Sequence, residues 1–77
     1  MNTHPRIHID PSICHGKPVI ADTRVPVSII VGALAGGMSM EEITREYDVA
    51  QEDIRAALAF ANDLILEESF HSLPRVA

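Results

Sequence analysis

Four side chains able to bind a metal crowd the start of the chain: His4, His8, Cys14 and His15 lie within twelve residues. Zinc sites recruit such ligands in recurring pairs a few residues apart, and this spacing fits none of those patterns. Only Cys14 and His15 are adjacent, so the four read as surface and turn residues, with no metal or other cofactor expected. Adjacent carboxylates occur at Glu41-Glu42, Glu52-Asp53 and Glu67-Glu68. On helices such neighbours line solvated faces. The chain has no Gly-x-Ser-x-Gly elbow, and Gly36-Gly37 closes a helix instead of opening one as a phosphate loop does. No enzyme is expected.

The densest information lies between Gly16 and Val27, where two prolines, a glycine and the pair Thr23-Arg24 precede an apolar helix. Arg24 has two readings. As a structural pin it pairs with an acid or with backbone carbonyls. As a partner-binding residue it offers a guanidinium suited to planar, bidentate pairing.

Those residues need elements to position them. Ile7 and Ile9 alternate with Arg6 and His8, the period of a short half-buried strand, which Asp10-Pro11-Ser12 breaks. His15-Gly16-Lys17-Pro18 makes a turn, Val19-Ile20 a second short strand and Ala21-Asp22-Thr23 a third turn. The first helix starts with Pro26 near its first position and runs to Gly36-Gly37. It is apolar nearly all round, which predicts a central buried helix with Gly32 permitting close approach. Ser39 and Glu42 form a capping box for the second helix, where Met40, Ile43 and Tyr47 share one face. After the turn Asp48-Val49-Ala50, a long third helix starts at Gln51. Its apolar stripe is Ile54, Ala57, Leu58, Ala61, Leu64 and Ile65, with Phe60 to one side. Residues 1–69 thus read as one domain and 70–77 as a loose tail.

The 77 residues are 47% hydrophobic with no Trp, so the apolar content is aliphatic and exceeds what a small core hides. A dimer is expected, joined through the first helix, the strands and the flank near Phe60. The single cysteine excludes an intrachain disulfide. No signal sequence or membrane-length apolar run is evident, so a cytoplasmic protein is expected. Charge is uneven. Residues 1–38 carry three cations against two acids, a balance of +1, and residues 39–77 three against nine, a balance of −6. DNA affinity rests largely on Lys and Arg neutralising phosphates, so an acidic second half suits a basic protein partner better.

From Met40 to Leu58 the spacing resembles the helix-turn-helix of small bacterial regulators. The second helix of that motif enters the major groove and reads bases through its N-terminal residues. The DNA-reading candidates are Gln51, Arg55 and Asn62, with Glu52 and Asp53 opposing the phosphates.

The run from Ile7 to about Leu66 closely resembles the bacterial and archaeal family catalogued as domain of unknown function 433. The residues that carry the match are Ile9, Asp10, Pro11, Gly16, Pro18, Ile20, Thr23-Arg24-Val25-Pro26-Val27 and Ala35-Gly36-Gly37. Glu42-Ile43, Tyr47, Asp53-Ile54 and Ala57-Leu58 complete it. Two positions depart from the pattern: Asp22 replaces a usual Gly before Thr-Arg, and Ala50 a usual Ser or Thr cap. The resemblance implies a mainly α fold, a winged-helix-like or homeodomain-like three-helix bundle behind a short β segment. It also implies an antitoxin paired with a PIN-like ribonuclease toxin. The expected function is neutralisation of such a nuclease by direct binding, the alternative a DNA-binding transcriptional regulator. Candidate partner contacts are Arg24, Phe60, Phe70 and Arg75, the last from a tail whose arginine can pair with carboxylates.

Overall fold

The computed structural model describes the backbone of residues 4–72 and the side chains of residues 4–67. In chain order the elements are β1 (Ile7–His8), a single 3-10-type turn (Cys14–Gly16), β2 (Val19–Ile20), α1 (Val27–Ala35), α2 (Met40–Tyr47) and α3 (Gln51–Ser72). The fold is mainly helical behind a short β segment, as the patterning predicts. β1 and β2 pair antiparallel with Ile7 opposite Ile20 and His8 opposite Val19. Ile9 lies beyond the strand and is 57% exposed, so only Ile7 of the alternating pair enters the core.

Both ends of α1 and α2 and the start of α3 have local causes. Pro26 caps α1 from an extended conformation, one position earlier than expected. At the other end Gly37 donates to the Leu34 carbonyl and Met38 to the Ala33 carbonyl, each at 3.0 Å. That is a Schellman closure, and it needs the left-handed backbone that Gly37 adopts at φ +103°. The predicted capping box opens α2: Ser39 Oγ accepts from the Glu42 N–H at 3.1 Å, and Ser39 N–H donates to Glu42 Oε1 at 2.9 Å. Asp48 ends α2 in a left-handed conformation. Ala50 supplies no side-chain cap for α3, but its N–H donates to Asp53 Oδ2 at 2.9 Å, which supplies the reciprocal half of a box.

One core serves both strands and all three α-helices. Ile7 of β1, Ile20 of β2, Ile30 of α1, Ile43 of α2 and Ile54 of α3 are each at most 1% exposed, and Val19, Val27, Val49 and Ala57 complete the core. Two expectations for α1 need correction. Only Val27 and Ile30 of this helix are buried, while Ile29 is 43% exposed. A Cβ built on Gly32 would meet nothing within 4 Å, so this glycine mediates no close approach within the chain. A nine-residue helix lying on a small core turns only one side to it, whatever its composition. The third helix also runs further than expected, through Phe70 to Ser72.

Candidate functional site

Two concave surfaces and one helix face hold the chemistry-bearing residues. The first surface is built by the turns. Asp10 Oδ1 accepts from the N–H and the hydroxyl of Ser12, both at 2.8 Å, and these bonds hold its carboxyl below the ordinary carboxylate range. Cys14 (φ +50°), His15 (φ +58°) and Gly16 (φ +83°) then follow in left-handed backbone. On the far side of β2, Ile20 to Thr23 closes a turn with Asp22 at φ +64°. That is the conformation for which glycine is the unstrained choice. Asp22 therefore keeps the geometry that glycine would give, at some conformational cost.

Thr23 locks the backbone on both sides of itself. Its Oγ1 donates to the Ile20 carbonyl at 2.7 Å and accepts from the Val25 N–H at 2.9 Å. Cys14 Sγ reaches the Arg24 carbonyl at 3.5 Å and joins the two turns. Together they frame a concavity of about 290 Å³ lined by His8, Ile13, Val19, Asp22, Thr23 and Arg24. The Arg24 side chain is exposed, and among the described residues no acid or carbonyl pairs with its guanidinium. The pin reading of Arg24 is not what the structure contains.

The second surface is a groove of about 420 Å³ between α1 and α3. Lys17, Pro18, Val27, Ser28, Val31, Phe60, Ala61 and Leu64 line it, so Phe60 stands where an apolar partner could enter. Sequence reasoning missed the other side of Phe60. His4 packs edge-on against its ring, with centroids 5.4 Å apart, while His4 Nε2 donates to Asp63 Oδ2 at 2.8 Å. Arg6 Nη1 donates to Asp53 Oδ1 at 2.9 Å, on the same helix. Surface pairs of this kind contribute only about 0.2–1 kcal/mol each. Their effect is to strap the segment before β1 along α3. Contacts across 59 and 47 residues leave no local sequence signal.

On α3, Gln51, Arg55 and Asn62 are all exposed and fall on one face at i, i+4 and i+11. Leu58, 42% exposed, interrupts that face at i+7. Burial ends early along the helix. Among the described side chains of α3, Ala57 is the last buried one, Phe60 and Ala61 are half-buried, and residues 62–67 are all exposed, including Leu64, Ile65 and Leu66. No group of three potential metal ligands converges among the described residues. No helix among them is long and apolar enough to cross a membrane. The Phe70 side chain and Arg75 lie outside the described residues.

Residues 7–61 match the family described as protein of unknown function (DUF433). Among solved structures, a crystal structure of a DUF433 member protein from Anabaena variabilis is similar at 30% identity and TM-score 0.71, covering 75% of this chain and 58% of its own. The X-ray structure of Rv2018 from Mycobacterium tuberculosis is similar at 29% identity and TM-score 0.62, covering 68% of this chain and 24% of its own. The chain therefore spans less than two thirds of either solved relative. No curated protein matches it.

Proposed function

The chain belongs to the DUF433 family, of unknown function, and from that premise we propose that it is an antitoxin-like protein. In this reading it acts as a homodimer that binds and silences a PIN-like ribonuclease. The observation that carries the proposal is the projecting part of α3. Past Ala61 the described side chains of α3 leave the core, yet they include Leu64, 47% exposed on the lining of the Phe60 groove, and Leu66, 55% exposed. A projecting helical stretch is marginal in water without packing, and large exposed apolar side chains at 64–66 on so small a chain mark a surface meant to be covered. Charge points to the cover. From Gln51 to Glu67, α3 carries one cation, Arg55, against Glu52, Asp53, Asp63 and Glu67. Such a surface suits a protein with basic margins and opposes a phosphate backbone.

The test is inhibition of a PIN-like nuclease encoded next to this chain. Wild-type protein should co-purify with the nuclease and block RNA cleavage. Leu64→Glu with Leu66→Glu, at two exposed positions, should keep the fold and weaken inhibition at least tenfold. A nuclease that stays active beside excess folded protein would sink the reading.

The exposed, co-facial Gln51, Arg55 and Asn62 support a second reading, a transcriptional regulator. It requires that Arg55→Ala weaken operator binding by about 1–3 kcal/mol. Salt-sensitive promoter binding by the isolated chain would favour it over the first.

A further inference from the structure

We propose that the concavity around Arg24 is a binding site for one carboxylate carried on a short apolar stem, a group the size of a single amino-acid residue. Its volume of about 290 Å³ lies at the small end of ligand sites, which suits one residue. Arg24 contributes a planar fork of donors that no acid among the described residues satisfies, and carboxylates are the groups that match such a fork bidentately. Ile13 and Val19 supply an apolar wall for the stem, and the His8 ring on the same lining offers a further donor.

Asp22 at the lip decides between anions. A fixed negative charge beside a lone arginine admits one charge that the guanidinium neutralises, and opposes a phosphodiester chain bearing several. The frame is also set before a ligand arrives. The Thr23 hydroxyl is already engaged on both sides, Cys14 Sγ ties the Arg24 carbonyl, and three non-glycine residues around the site sit in left-handed backbone. Strained backbone that the surroundings over-determine tends to occur where a side chain must be presented in one orientation. Here that side chain is Arg24. The site shares no lining residue with the α1–α3 groove and does not depend on a nuclease meeting α3.

Two acids separate the sources of such a carboxylate: N-acetylleucine mimics a chain end, and N-acetylglutamate α-amide mimics a side chain. Each is titrated into the labelled full-length protein while the amide resonances of Ile13, Val19 and Thr23 are followed. At least one should bind saturably with a dissociation constant on the order of 1 mM, and the tighter one names the source. Arg24→Gln should weaken binding at least tenfold with the remaining spectrum unchanged, and Arg24→Lys should weaken it less. Neutral N-acetylleucinamide should not bind. The proposal fails if neither acid shifts these amides, if the amide control binds as well as the acid, or if Arg24→Gln binds unchanged. It fails equally if inorganic phosphate binds more tightly than either acid.

Discussion

The segment before α1 and the three helices behind it solve the same problem by opposite means. The helices satisfy their backbone by repetition and need special residues only at their ends, at Gly37, Ser39 and Asp48. The segment from Asp10 to Pro26 has almost no repetition, since its strand spans two residues. It is held by single bonds from Asp10 and Thr23 and by four consecutive or near neighbours in left-handed backbone: Cys14, His15, Gly16 and Asp22. Yet it supplies Val19 and Ile20 to the same core. An irregular segment can thus be as structural as a helix, and a packed one can present a charged side chain more rigidly than a surface helix does.

The sharpest way to break this comparison is to remove the core contact of each half. Ile54→Ala in α3 and Ile20→Ala in β2 should each cost about 2–5 kcal/mol in urea unfolding, because both side chains are fully buried. If Ile20→Ala cost less than about 1 kcal/mol, the segment would be an appendage. Next in size is Thr23→Val, which keeps the shape and deletes the two hydroxyl bonds. A loss of about 1–3 kcal/mol is expected in the same measurement, larger than an exposed threonine on a helix would give.

Asp22→Gly should act in the other direction. Relief of the left-handed backbone outweighs the added freedom of the unfolded chain, for a net gain of about 0.5–1 kcal/mol in thermal unfolding. A loss would mean that the Asp22 side chain supports the turn. The smallest effect concerns acid. The Asp10 carboxyl is held below its ordinary range by the Ser12 N–H, then by the Ser12 hydroxyl. Its contribution is fully present above the ordinary carboxylate pKa and is lost as pH falls through the lowered value. Asp10→Asn should therefore be slightly less stable than wild type near neutrality and converge with it in acid. A constant difference across that range would place the bond's effect elsewhere.

Much of the helical half was legible because its signals are local. Ser39 with Glu42, Gly36-Gly37 and the periodicity of Ile54, Ala57 and Ala61 each fix structure within one or two turns. Composition misled for α1, where nearly every residue is apolar and the side that faces the core is set by α3 and α2. The end of α3 was missed because the Phe70 region has no breaker before Pro74. The Thr-Arg-x-Pro-Val run marked the region of the Arg24 concavity, but its walls come from His8 and Ile13, which only the strand pairing and turns bring together. The straps His4–Asp63 and Arg6–Asp53 had no precursor in the pattern.

The shared isoleucine core bears on how the chain reaches its structure. Both strands and all three α-helices each contribute one isoleucine to a single cluster, so no pair of elements holds a complete interior. A fragment beginning at Val27 keeps its helix caps but forfeits Ile7, Val19 and Ile20. The remaining helices should then collapse without fixed side-chain packing, as a molten globule does. Folding cannot proceed by docking a finished β segment onto a finished bundle. The rate-limiting event should bring Ile7 to Ile54 and Ala57 in the first two turns of α3, closing a loop of more than forty residues. Such a closure is slow for a chain so rich in helix, so this protein should fold more slowly than a three-helix bundle of equal length, in one cooperative step.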